Sequence, residues 1–190
     1  ESFILNLPKD EVSGDFYWFD VKNDKIIIAA ADCTGHGVSG ALMAINGHHL
    51  INQAVNRNNG FSASALVNDL NEGIIRELGH EDHEPMIQNG MDIALCILDK
   101  EKRNLQYSGS VMPVYILRNK ENIQVKGDLF SLGLMIHGKI NTYTHKDFSL
   151  QKGDTVYLFS DGYADQLGGT TGEEKFLYKR FRNLLVDISH

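Results

Sequence analysis

The stretch from Ile26 to Asn46 constrains the fold more than any other. Six apolar residues, Ile26 to Ala31, run without alternation and stop at Asp32, and Gly35, Gly37 and Gly40 follow within six residues of one another. The apolar run predicts a strand covered on both faces. The glycines allow a tight turn and close approach of another group to the backbone. Ser39 is one of several possible N-caps for a helix opening behind that turn. A carboxylate at a strand end, facing glycine backbone and a helix N-terminus, suits a metal ion and a phosphate.

Gly35-His36-Gly37-Val38-Ser39-Gly40 also fits the dinucleotide pattern G-x-G-x-x-G. Two features exclude that reading. Asp32 would turn an unscreened negative charge toward the pyrophosphate, and the acidic residue required about 20 positions on is absent. That region is the polar turn Asn56-Arg57-Asn58-Asn59-Gly60. A P-loop fails because no Lys-Ser/Thr follows the glycines.

Residues 1–190 are expected to form one domain with a single sizeable core. A net charge of −7 argues against a nucleic-acid binder. The two cysteines, Cys33 and Cys96, make no disulfide framework and fit a reducing compartment, so a cytoplasmic location is expected. No apolar run reaches the roughly 18 residues that span a membrane, so no membrane contact by this domain is expected. The start at Glu1 reads as a piece excised from a longer protein, which leaves anchoring elsewhere in the parent open.

Along the chain, Val12–Asp20 reads as an aromatic-rich strand, and Asn23-Asp24 turns it into the strand at Ile26 as a hairpin. That pairing brings Asp15 toward Asp32, although Asp15 alone reads equally as a solvated carboxylate. The helix from Val38 to about Arg57 confines Ser39, Asn46 and Gln53 to a narrow polar stripe and is expected to be largely buried. His48 and His49 read as core or boundary residues rather than ligands. A second helix starts near Ser62 or Ser64, with Val67, Leu70, Ile74 and Leu78 on one face. Gly79–Gly90 reads as a solvated loop, because its histidines and acids match no standard zinc spacing.

Met91–Leu98 alternates as a strand with Asp92, Ala94, Cys96 and Leu98 on one face, which makes Asp92 a possible further ligand. Strands follow at Leu105–Ser108, Val114–Arg118 and Ile123–Val125. Lys126–Lys139 reads as a mobile glycine-bearing loop, and Thr142–Leu150 as a weak strand. Thr155–Ser160 is a strand that ends at Asp161, repeating the arrangement at Asp32. Glu173–Ile188 is helical.

Asp15, Asp32 and Asp161 read as a constellation of strand-end carboxylates, although spacing alone fits three unrelated surface aspartates equally well. Like charges about 4 Å apart repel by roughly 4 kcal/mol at an effective dielectric of 20. Such a cluster persists only with shared protons or with cations, and hard oxygen ligands favour Mg²⁺ or Mn²⁺ over zinc.

Four motifs, Val12-Ser13-Gly14-Asp15-Phe16-Tyr17, Asp32-Cys33-Thr34-Gly35-His36-Gly37, Gly90-Met91-Asp92-Ile93-Ala94-Leu95 and Phe159-Ser160-Asp161-Gly162-Tyr163, occur in that order. Together they resemble the SpoIIE-type branch of the metal-dependent PP2C-like (PPM) serine/threonine phosphatases. The resemblance spans nearly the whole chain and is closest to output domains of bacterial signalling proteins. It implies an α/β (α+β) fold, a PP2C-like sandwich of two antiparallel β-sheets flanked by helices. It also implies two Mn²⁺ or Mg²⁺ ions. Asp32 would bridge them, the Cys33 carbonyl would ligate one, Asp161 would bind the second, and Asp15 would bind directly or through water. The nucleophile would be metal-activated water, with Asp32 and Asp161 as the catalytic carboxylates.

The implied substrate is a phosphorylated protein, of the kind represented by anti-sigma-factor antagonists, with input sensor domains in the parent chain. His36 is a candidate general acid by analogy with eukaryotic relatives, and Lys9 a candidate substitute for their phosphate-gripping arginine. The family normally ends in a further strand carrying an Asp-Asp pair. No such pair occurs here, so C-terminal strands are expected to be missing. The alternative reading is a catalytically weak or inactive PP2C-like binding module.

Overall fold

The computed structural model describes residues 1–35, 37–58, 62–77, 90–136 and 138–189. His36, Leu78 and residues 79–89 of the expected acidic loop lie outside the described residues. In chain order the elements are β1 (Phe16–Lys22), β2 (Lys25–Cys33), α1 (Gly37–Arg57), α2 (Ala63–Glu77), β3 (Met91–Asp99), β4 (Asn104–Ser110), β5 (Val114–Arg118) and β6 (Glu121–Val125). They continue with β7 (Met135–Ile136), β8 (Lys139–Ile140), β9 (Lys146–Ser149), β10 (Thr155–Tyr157), a 3₁₀ turn (Asp161–Tyr163), β11 (Leu167–Gly168), β12 (Glu174–Lys175) and α3 (Leu177–Ile188).

Two antiparallel sheets dominate, one of five strands in the order β1-β2-β3-β4-β9 and one of three in the order β10-β5-β6. The β1–β2 hairpin turns on Asn23 and Asp24, both with positive φ, as the short twisted connection requires. The two faces of β2 and β3 explain the layers. Ile27, Ala29, Ala31, Cys33, Ile93, Leu95 and Ile97 face a core shared with α1 and α2. Ala94 and Cys96, with the half-buried Ala30, face a second core shared with Val114 and Ile116 of β5. A third cluster packs Tyr115 and Leu117, on the far face of β5, under Phe181 and Leu185 of α3. The order is therefore helices, sheet, sheet, helix, and the expectation that β2 is covered on both faces holds.

Several expectations are corrected. Val12–Asp20 is not one strand, because β1 begins at Phe16. Gly14 lies against the Cys33 carbonyl, where a Cβ would come within 2.9 Å of the oxygen. The Asp15 N–H also donates to Ser13 Oγ at 2.9 Å, so the chain turns before the strand starts. Helix α1 is buried on one side only. Small residues, Gly40, Ala44 and Gly47, and then Leu50, Ile51, Ala54 and Val55 face inward. Val38 and Ile45 stay about 70% exposed on the outside, and His48 and His49 are exposed rather than core residues. The run Thr155–Ser160 pairs only as far as Tyr157. Its partner β5 starts at Val114, the position opposite Leu158, so Phe159 and Ser160 have no strand beside them. The helix expected from Glu173 begins at Leu177, because Glu174 and Lys175 pair with β11 instead.

The segment Lys126–Lys139 is anchored rather than free. Leu132 is wholly buried and exchanges backbone hydrogen bonds with Met91 at 2.9 and 3.0 Å. Asp128 N–H donates to Gly109 O at 2.8 Å, Gly133 N–H to Asn71 Oδ1 at 2.8 Å, and Tyr143 Oη to the carbonyls of Phe130 and Ser131. A Cβ on Gly127 would lie 2.5 Å from the Gly109 carbonyl oxygen, so this glycine serves close packing. Hydrogen exchange should therefore show the Leu132 and Gly133 amides protected well beyond the exposed tip at Leu129-Phe130. Equal, rapid exchange across the segment would restore the mobile loop.

Candidate functional site

Register gathers the carboxylates. Asp32 of β2 stands opposite Asp92 of β3. Phe16 stands opposite Ala31, so the pairing continued by one residue sets Asp15 opposite Asp32. Directly opposed residues share a face of the sheet. Asp92 shares the face of Ala94 and Cys96, which looks toward the second sheet. A row of three aspartates therefore runs from Asp15, just before β1, across β2 and β3 at the mouth between the sheets. The second sheet contributes from its side: the chain leaving β10 carries Ser160 and Asp161, and Ser160 Oγ donates to Asp15 Oδ2 at 2.5 Å.

Electrostatics reports the same gathering. Burial first, then the charges of Asp15 and Asp161, a hydrogen bond with Asp15 and the charge of Asp92 push the Asp32 carboxyl up to about 7. Asp161 is raised by burial, then by Asp165 and Asp15, with Lys175 opposing and Asp92 adding to the rise. Lys175 Nζ itself sits 2.6 Å from Asp165 Oδ2. Burial raises Asp92 too, against hydrogen bonds from Ser131 and Ser110. Every direction given for these three disfavours the charged carboxylate, as expected for clustered, partly desolvated like charges.

The turn behind Asp32 is held by backbone. Thr34 N–H donates to Gly90 O at 2.9 Å, and Gly90 N–H returns to Thr34 Oγ1 at 3.2 Å. Gly14, Gly35 and Gly40 meet without side chains between them: a Cβ on Gly40 would lie 2.6 Å from Gly35 O and 3.2 Å from Gly14 Cα. Gly35 and Gly37 have φ of +102° and +63°, a region that suits glycine. The Cys33 side chain faces the helix-side core and is 2% exposed, which leaves its carbonyl as the donor this residue can offer. Lys9 lies exposed before β1, with no hydrogen bond or ion pair to any described residue.

Sequence reasoning named Asp15, Asp32, Asp92 and Asp161, and the fold brings all four together. It gave no role to Ser160 or to the Ser110 and Ser131 hydroxyls on Asp92. It also missed Tyr178, whose hydroxyl is raised to about 12 by burial and then by Asp161. The Ser160-Asp161-Gly162 motif carried the signal for Ser160; the other three depend on long-range contacts.

Residues 22–189 match the family described as Stage II sporulation protein E (SpoIIE). The chain belongs to the SpoIIE family. It is 27% identical over 172 residues to phosphoserine phosphatase RsbU of Bacillus subtilis (strain 168), covering 85% of this chain and 45% of that protein. The chain thus spans about half the length of the curated relative it matches. The SiaA-PP2C domain of Pseudomonas aeruginosa superposes with a TM-score of 0.86 at 29% identity, over 98% of this chain and 71% of that one. RsbX in complex with magnesium superposes with a TM-score of 0.62 at 15% identity, over 97% and 84%, a likeness of fold. The SpoIIE chain therefore has the PP2C-like α/β sandwich, and its homologues are PP2C-type serine/threonine phosphatases.

No helix of the described residues is long and apolar enough to cross a membrane. Among the described residues, no group of three or more His, Cys, Asp or Glu side chains is arranged so that it could hold a metal ion.

Proposed function

We propose that the chain is a Mn²⁺- or Mg²⁺-dependent protein-serine/threonine phosphatase domain of a longer signalling protein. The observation that carries this reading is the row Asp15, Asp32, Asp92, met by Asp161 from the other sheet. The donor set fits such an ion. It consists of hard oxygens under mutual repulsion, and Mg²⁺ is held through one or two carboxylates with several waters retained. A site of that kind needs no three converging side chains. Asp32, Asp15 and Asp161 would hold the ions, with the Cys33 carbonyl beside them and Asp92 as a further acceptor. Bound divalent ions supply a water of lowered pKa and neutralise phosphoryl oxygens.

The chain's own groups do the positioning. Ser160 fixes the Asp15 carboxylate by hydrogen bond. The N-terminal end of α1, immediately beyond the glycine turn, favours an anion such as the substrate phosphate. The substrate in this reading is phosphoserine or phosphothreonine on a signalling protein, in line with the name of RsbU, and an anti-sigma-factor antagonist is the kind of partner expected.

A second reading, a binding module without turnover, draws on one observation, the lack of a three-side-chain ligand group among the described residues. Turnover separates the two. The chain stripped by a chelator should be inactive on p-nitrophenyl phosphate and on a phosphoserine peptide, and Mn²⁺ should restore hydrolysis of both. No hydrolysis under any divalent ion, together with retained binding of a phosphoprotein, would establish the second reading.

A further inference from the structure

Away from the carboxylates, an open cavity of about 440 Å³ lies between β6 and the C-terminal half of α3, lined by Lys120, Asn122, Arg182, Asn183, Val186 and Asp187. The fold explains why it exists. Asn122 stands opposite Leu117, so both side chains face α3. Phe181 and Leu185 cover Leu117, but β6 lies one strand further out. The α3-facing side of β6 is therefore the floor of a groove, and α3 is its wall.

Three observations describe what the groove lacks. First, β6 ends the three-stranded sheet, so its outer backbone edge has no strand partner among the described residues. Second, both polar atoms of the Asn122 amide are shielded from solvent and have no hydrogen-bond partner. Buried polar atoms are normally paired, so an amide orphaned beside a cavity calls for a partner. Third, neither Lys120 nor Arg182 has an ion-pair or hydrogen-bond partner among the described residues. Lys120 is held at the rim by the β5–β6 turn, where Asn119 and Lys120 both have positive φ. Lys179, Arg180 and Arg182 outnumber Asp187 on α3, with Arg180 3.8 Å from Glu174, on a chain of net charge −7.

We propose that this groove docks an extended acidic peptide segment of a partner protein, added as a fourth strand to the edge of β6. A groove between an edge strand and a helix is a recurring setting for strand addition, in which backbone hydrogen bonds give affinity and alternate side chains give specificity. Carboxylates of the segment meet Lys120 and Arg182. The Asn122 amide, with its donor and acceptor both unused, pairs with a peptide group. An apolar residue rests on Val186, and Asp187 accepts from a segment N–H. The proposal rests on the groove and not on the phosphatase reading, so its test reads binding.

The probe is a short fluorescein-labelled peptide alternating glutamate and valine, with the matching lysine–valine peptide as control, titrated into the full chain. The glutamate peptide should bind with a Kd on the order of 100 µM at low salt. Arg182→Glu should weaken it by about tenfold or more, and moderate salt should weaken it too. Asn122→Leu should weaken binding while the fold is kept, since it replaces an unpaired amide by an apolar group of similar shape. Hydrogen exchange on β6 should slow when the peptide is bound. Equal binding of the two peptides, no binding at about 1 mM, or unchanged affinity in Arg182→Glu each overturns the proposal. So does displacement by inorganic phosphate without any change in β6 exchange, which would make the groove a simple anion site.

Discussion

Replacing Asp32 by Asn should reduce Mn²⁺-dependent hydrolysis about a thousandfold, equivalent to about 4 kcal/mol of transition-state stabilisation. The same change should leave the metal-free protein as stable as before, or more so. Asp32 is a half-buried carboxylate in line with Asp15 and Asp92 and close to Asp161. Its charge is therefore repelled by its neighbours and poorly solvated, and an amide keeps the shape without the charge. The wild type should recover the difference when Mn²⁺ is added, because an ion that binds only the folded chain raises its melting temperature. The Asp32→Asn variant should lose most of that gain. Melting curves with and without Mn²⁺, beside turnover, make the test. A variant that loses stability in the absence of metal would mark Asp32 as a structural residue, and one that keeps full turnover would remove it from the site.

Gly40→Ala should impair both stability and turnover although it touches no carboxylate. The added methyl would lie 2.6 Å from the Gly35 carbonyl oxygen, 3.0 Å from its carbon and 3.2 Å from Gly14 Cα. All three are backbone atoms, so no side chain can swing aside. Either α1 moves off the turn or the turn moves off the Asp15 strand, and each displaces Asp32 relative to Asp15. Overpacking of this kind costs about 1–3 kcal/mol. Gly168→Ala is the matched control, since a Cβ there meets nothing within 4 Å and the residue lacks a positive φ. The pair should differ by several degrees in melting temperature, and only Gly40→Ala should lose turnover. Like behaviour of the two variants would mean that the meeting of three glycines is not tight in solution.

Where the sequence was legible, a single short-range rule governed. The alternation in β3 revealed its two faces and put Asp92 on the same face as Cys96. The hairpin signal at Asn23-Asp24 set the register that brings Asp15 to Asp32. Where it misled, a long-range contact decided. Polarity and glycines made Lys126–Lys139 read as a free loop, yet Leu132 supplies one deeply buried side chain and Met91 the partner backbone, and neither is periodic. The apolar residues of α1 read as burial everywhere but along a narrow polar stripe. Among the described residues the helix packs against the sheet and α2, which leaves Val38, Leu42 and Ile45 outside. The strand before Asp161 read as longer than it is, because strand propensity does not report where the neighbouring strand begins.

The two cysteines occupy different cores, Cys33 beneath the helices and Cys96 between the sheets. Each is no more than 2% exposed. An alkylating reagent or peroxide can reach either sulfur only after the layer above it lifts away. The pair is thus a built-in set of reporters: the rate at which Cys33 is labelled reads the opening of α1 and α2 from the sheet, and that of Cys96 reads the parting of the two sheets. Neither sulfur is exposed in the folded chain, so under the proposed carboxylate-centred hydrolysis oxidants that silence cysteine-dependent hydrolases would have no foothold on it.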